Sequence, residues 1–249
     1  MLLKVVLAVC TQGAFALLLA SHPVHASEAV RMGSGFMTFD TVPDWGLDSL
    51  GKSQIGSTHG NVVVDSRGEI YTSSNRGIFV FSPDGKIVRQ YLGSDHTGLH
   101  DMEMRNEDGQ DYIYGARNKV GEGIKFEAVT GAVKMRFGIP SKEECGLEIA
   151  KWSPTAITVG PDGDVYLSDG YASNRIFRFN KDGEYQSHFG KKGNGTKEFN
   201  TAHGMTLDNR YSPPRLLICD RNHQPKGRVV HYSLDGNYTW RYQIFKDDW

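Results

Sequence analysis

The stretch from Trp152 to Gly190, WSPTAITVGPDGDVYLSDGYASNRIFRFNKDGEYQSHFG, is one complete structural unit and limits the possible folds more than any other feature. Four β-rich runs, TAITV, DVYLS, RIFRF and EYQSHF, are separated by PDG, DGYASN and NKDG, which are turn-forming sequences. That order predicts a four-stranded antiparallel meander. A lone meander exposes both faces and both edges, so such units persist by repetition around an axis, as in the blades of a β-propeller.

The rest of the chain repeats the unit over residues 59–93, 100–138 and 203–245, with the Trp152 unit third at 152–190. Three units place an apolar residue and Tyr shortly after Gly, at Gly68-Ile70-Tyr71, Gly109-Ile113-Tyr114 and Gly163-Val165-Tyr166. Asp-Gly turns precede the last strand at Asp84-Gly85, Asp182-Gly183 and Asp235-Gly236. Periods of about 40–50 residues with four strands each predict a propeller. Glycine at 29 of 249 residues is above the usual share of about 7%, as a fold made of tight turns requires. The expectation is an all-β chain with a propeller domain over 27–249. A strand is expected at Phe36–Phe39 before the first unit, and an irregular insertion with Pro140, Cys145 and Trp152 before the third.

Residues 1–26 read as a signal peptide: Lys4, an apolar run from Val5 to Ala20, and Val24-His25-Ala26 as a small-x-small cleavage site. The run is shorter and more broken than a spanning helix of about 20 residues needs. The mature chain is therefore expected to be secreted or periplasmic, with no membrane role after the leader is removed. In that compartment Cys145 and Cys219 could pair; as two buried small hydrophobes they would stay apart. A net charge of −1 gives no basis for nucleic-acid binding, and the arginines of the last repeat are interleaved with Asp208, Asp220 and Asp235.

His100 and His203 each open a repeat, five residues before Arg105 and Asp208. Equivalent positions of successive blades face the ring axis, so two imidazoles distant in sequence converge there. Imidazole suits zinc, and a catalytic zinc takes three protein ligands and one open position. The same slot holds Thr155 in the third repeat and Gly60 in the first, where His59 stands one place early, a shift that turns a strand side chain away. The alternative is that these histidines are hydrogen-bonded polar residues lining a wet channel. In DGYASNR an Asp-Gly turn lifts Tyr171 onto the loop between the second and third strands, where Arg221 or Arg76 would supply the cation a basic phenol needs. The same motif also reads as a plain structural turn.

SDGYASNRI at 168–176, GLHDM at 98–102, AHGMTLD at 202–208 and ICDR at 218–221 resemble the NHL-repeat six-bladed propellers. Within these the chain is most similar to the peptidyl-α-hydroxyglycine α-amidating lyase family and its bacterial relatives, from about His59 to Tyr242. The resemblance implies an axial zinc on three histidines, a structural calcium, and a catalytic Tyr flanked by Arg. It assigns His100 and His203 to zinc, Tyr171 to catalysis, Arg221 and Arg76 to the substrate, and the Val62 and Met102 backbone carbonyls to calcium, while His59 stands as a possible third zinc ligand on its place in the first repeat alone. The family's remaining zinc histidine lies in a sixth blade, so about four repeats are expected to be a C-terminally incomplete ring.

Two functions follow. In one, a carbon–nitrogen lyase cleaves a peptidyl-α-hydroxyglycine to an amide and glyoxylate. In the other, the propeller is a non-catalytic secreted module, or a degenerate copy, that binds a peptide, glycan or protein, with Trp240 and Trp249 available for contact.

Overall fold

The computed structural model describes residues 28–243, so the leader and Trp249 lie outside the described residues. The described chain divides into a unit ending at Asp44 and a unit beginning at Trp45. In the first, β1 (Arg31–Ser34) and β2 (Met37–Asp40) form a hairpin in which Arg31 grips Asp40 through two bonds of 2.8 and 2.9 Å.

The second unit holds four antiparallel sheets, each a meander with strands in sequence order. The first comprises β3 (Thr58–Val64), β4 (Ile70–Ser74), β5 (Gly77–Phe81) and β6 (Ile87–Tyr91). The second comprises β7 (Leu99–Glu107), β8 (Gln110–Arg117), β9 (Glu122–Glu127) and β10 (Val133–Phe137). The third comprises β11 (Ala156–Val159), β12 (Val165–Ser168), β13 (Ile176–Phe179) and β14 (Tyr185–Phe189). The fourth comprises β15 (Ala202–Asp208), β16 (Arg215–Asp220), β17 (Arg228–Ser233) and β18 (Tyr238–Gln243). Gly85, Gly183 and Gly236 all take left-handed φ between 79° and 85°, and their amides close equivalent turns at 2.9 Å before the outermost strand. That conformation is free for glycine alone.

The innermost strands β3, β7, β11 and β15 neighbour one another in that order. Because strand side chains alternate, each inner blade packs on both neighbours. In the third blade Ile157, Val165, Leu167 and Phe177 join Tyr114 and Phe137 of the second. From the opposite face Ala156, Tyr166 and Ile176 join Met205, Leu216 and Val230 of the fourth. Tyr71, Ile78 and Val80 meet Leu99, Ile113 and Phe126 in a third layer between the first and second blades. The outer flank of the first blade is less covered: Val62 and Val64 are 62% and 52% exposed.

The insertion before the third blade contains a helical turn, α1 (Lys142–Cys145), where the sequence predicts only irregular structure. The signal was present: Ser141 and Glu144 form a capping box and Gly146 ends the turn with φ +69°. Cys145 is buried, Cys219 is exposed, and both are free thiols, which corrects the pairing considered from the sequence and leaves only one of the two as a buried hydrophobe.

Candidate axial site

Three of the four innermost strands lose regular register at their histidine. The irregularity lies between Leu99 and Asp101 on β7, between Ala202 and Gly204 on β15, and between Thr58 and Val62 on β3. The ladder of β11 with β12 runs without interruption. A bulge inserts a residue without a ladder partner and re-aims its side chain. His100 and His203 are those residues, and His59 lies within the longer irregularity. The parity argument against His59 therefore fails, because it assumed a regular strand: its ring centroid lies 4.5 Å from that of His100. His203 lies 4.9 Å from His100 on the same measure.

The third blade supplies the orienting group. His100 Nδ1 donates to the Thr155 carbonyl at 2.7 Å, which leaves Nε2 with a bare lone pair. That Nε2 lies 3.1 Å from the Tyr171 hydroxyl, and His203 Nε2 lies 2.9 Å from the same oxygen. The consistent pattern is His203 Nε2–H donating to Tyr171 and Tyr171 donating to His100. Two imidazoles from separate blades thus share one phenol.

The loop that carries Tyr171 is built around Asp169, which is fully buried and accepts from the amides of Ser153 at 2.6 Å and Ser173 at 2.8 Å. Asn174, with φ +57°, accepts from the Thr201 amide at 2.6 Å and ties the loop to the start of β15. Gly170 is obligatory here, since a Cβ would lie 1.8 Å from the Ala202 carbonyl oxygen. The Arg221 guanidinium lies 5.5 Å from the centre of the Tyr171 ring.

Burial is the main cause that lowers the basicity of both histidines. His203 is pushed down to about 4 by burial, then by the Arg221 charge and the neighbouring imidazoles. His100 moves the same way although its bond to Thr155 opposes the shift. Both are neutral near pH 7, the state in which imidazole is a ligand or an acceptor. Asp101, beside His100, is pushed up to about 7, by burial first. It accepts from the Ile157 amide at 3.0 Å, joining the second and third blades, and also meets the Asn61 amide.

The donor chemistry fits zinc in kind once His203 takes its Nδ1–H tautomer: two Nε2 atoms then face the Tyr171 hydroxyl with free lone pairs, a third imidazole is in contact, and a carbonyl fixes the His100 tautomer. It falls short in number: among the described residues no group of three or more His, Cys, Asp or Glu is arranged to hold a metal ion. For the calcium expectation, Asn61 Nδ2 lies 3.5 Å from the Met102 carbonyl, whereas Val62 sits in the ladder opposite Thr72 with an exposed side chain. Arg76 is not brought to Tyr171. Its guanidinium donates to the Gln54 carbonyl at 2.9 Å and lies 5.3 Å from the Phe79 ring centre.

Asn61, His100, Asp101, Thr155, His203 and Met205 line an axial cavity of about 140 Å³. Two larger clefts open at the strand-loop end. One of about 450 Å³ lies between the insertion 147–151 and Tyr171, and one of about 520 Å³ is lined by His59, Ser74, Leu99 and Lys119.

A family model described as a six-bladed β-propeller matches residues 157–244, the third and fourth blades. The architecture is a β-propeller. Solved structures agree at the level of the fold. Hydrazine synthase of Kuenenia stuttgartiensis superposes with a TM-score of 0.56 at 10% identity, over 78% of this chain and 51% of that one. The WD40 domain of Neurospora crassa Pan2 gives 0.52 at 11% identity, over 76% and 50%. A Bacteroides caccae protein of unknown function gives 0.51 at 14% identity, over 84% and 65%. The chain thus spans about half to two thirds of the length of these structures. Among the described residues no helix is long and apolar enough to cross a membrane.

Proposed function

We propose that this propeller is an exported, zinc-dependent carbon–nitrogen lyase of the NHL type, acting on a peptidyl-α-hydroxyglycine or a similar hemiaminal. The observation that carries the reading is the convergence of His100 Nε2 and His203 Nε2 on the Tyr171 hydroxyl, beneath a guanidinium from the next blade. His100 and His203 would hold the metal, with His59 the third imidazole at hand. Zinc, when bound, supplies Lewis-acid polarisation that makes a substrate hydroxyl easier to deprotonate. The Met102 carbonyl, beside Asn61 and Asp101, offers oxygen donors of the kind a structural calcium takes, and Val62 is the weaker half of that assignment.

The chain's own residues account for the remaining steps. Arg221 pairs with the glycine carboxylate and fixes the hydroxyl-bearing carbon toward Tyr171. Tyr171, in its phenolate form, accepts the hydroxyl proton as general base and becomes the neutral phenol. The oxygen then forms a carbonyl with its carbon, the C–N bond breaks, and the nitrogen takes up a proton to leave as the amide, giving glyoxylate as the second product. The cleft beside Tyr171 and residues 147–151 is the side from which a peptide would enter.

The test is metal content and glyoxylate release from an N-acyl-α-hydroxyglycine by the purified mature protein. Near-stoichiometric zinc that is lost in His203→Ala, with release dependent on Tyr171, is the expected result. A stable, metal-free protein that releases no glyoxylate would overturn the reading in favour of a secreted recognition module.

A further inference from the structure

The loop between β16 and β17, residues 221–227, does two things. Its first residue, Arg221, faces Tyr171, while the remainder borders a separate small pocket formed by His223, Gln224, Pro225, Lys226, Arg228 and Arg241, of about 130 Å³. Arg228 is the pocket's buried member, at 2% exposure. Its Nε bonds to Asp220 at 3.0 Å, and its Nη2 donates to the Gly195 carbonyl at 3.0 Å and to that of Glu198. Its Nη1 is buried and has no acceptor among the described residues. A buried guanidinium donor without a partner is costly and rare in native proteins, so this nitrogen favours an acceptor beside it.

The charge around that donor is unbalanced. Asp220 is fully buried and offsets Arg228, with His223 Nδ1 also 3.0 Å from it. Lys226 and Arg241 have no ion-pair partner among the described residues, although Lys226 is half-buried. Lys226, Arg241 and the Arg228 guanidinium line one pocket, and such a surplus of cationic donors suits an anion. The volume holds one phosphate- or sulfate-sized group and excludes a nucleoside.

The pocket is also rigid. The loop is bonded to the preceding connection through Asn222 N to Asn200 O at 2.8 Å, Arg221 N to Thr201 O at 3.0 Å, Gln224 N to Asn194 Oδ1 at 2.9 Å and Asn222 Nδ2 to Thr201 Oγ1 at 2.9 Å. At Gly227 a Cβ would lie 2.9 Å from the Arg221 carbonyl oxygen, so the loop's two ends are held close together. A site preformed in this way does not have to order itself on binding.

We infer that the pocket formed by Lys226, Arg228 and Arg241 is a binding site for a tetrahedral oxyanion, a free phosphate or sulfate or the same group carried on an ester. Thermal unfolding of the mature protein is followed against inorganic phosphate, sulfate, glycerol phosphate and acetate, each at constant ionic strength set with chloride. A saturable rise in Tm with at least one tetrahedral anion and none with acetate is expected. Which anion acts at the lowest concentration distinguishes free ion from ester. Lys226→Gln and Arg241→Gln remove no packing that the blades need, and each should weaken the apparent affinity roughly tenfold. The same midpoint shift in the double variant, or no saturable shift with any tetrahedral anion, would overturn the assignment.

Discussion

Tyr171, His100 and His203 meet at single atoms, so their roles separate cleanly by substitution. Tyr171→Phe keeps the ring and removes the acceptor; glyoxylate release should fall by roughly 10²–10⁴-fold if the phenol is the base, with little change in Tm. Asp101 gives a pH signature. Its carboxyl is pushed up to about 7 in the folded protein, whereas an unfolded aspartate titrates near 4. The unfolded chain therefore releases this proton first. The stability tied to the neutral carboxyl is complete below about pH 4 and is lost as the pH rises to about 7. Denaturation midpoints of the wild type and Asp101→Asn, compared from pH 4 to 7.5, should diverge in favour of the variant by on the order of 2–4 kcal/mol. A constant difference across that range would show that Asp101 stays ionised. Asparagine can keep the bond from the Ile157 amide through its Oδ1 but then turns its amide nitrogen toward Asn61, so it is the pH dependence of the difference, not its size at one pH, that reports the charge.

Among the elements, the loop after β12 depends on Gly170, where the chain passes the Ala202 carbonyl too closely for any Cβ. Gly170→Ala should cost roughly 1–3 kcal/mol or more in thermal unfolding and uncouple Tyr171 from His203. Trp152 holds the insertion to the third blade through an edge contact with Phe177 at 4.6 Å between ring centroids. Trp152→Ala should therefore cost about 3–5 kcal/mol and open the cleft beside Tyr171, read as a lower Tm and a raised KM. The strands of the third repeat were legible from residues alone: TAITV, DVYLS, RIFRF and EYQSHF each match an observed strand to within one residue at either end. The histidine positions were legible only in part. A bulge is set by how β3 pairs with β4, a long-range property, so nothing local to His59 announces that its ring reaches His100. Arg76 was misplaced for a related reason: its partners, Gln54 and Phe79, lie on the outer flank of the first blade, a packing outcome that position in the repeat does not encode.

At the scale of the molecule, three apolar layers tie four blades together, and coverage falls from the middle outward. The innermost strand of the first blade is largely exposed while β11 is wholly buried. Amide exchange should follow that gradient: β3 exchanges through local opening, and β11 and β12 approach the global unfolding limit. Uniform protection across all four inner strands would mean that the outer flank of the first blade is covered in solution. The interrupted ladders at the hub carry one more consequence. Each confines its irregularity to one to three residues and then resumes pairing, so the side chain facing the axis can be exchanged without disturbing the apolar layers on either side. Thr155, which offers a carbonyl where its counterparts offer imidazoles, is already such an exchange. A scaffold of this kind can acquire or shed reactivity one spoke at a time, and its chemistry and its folding can diverge on separate schedules.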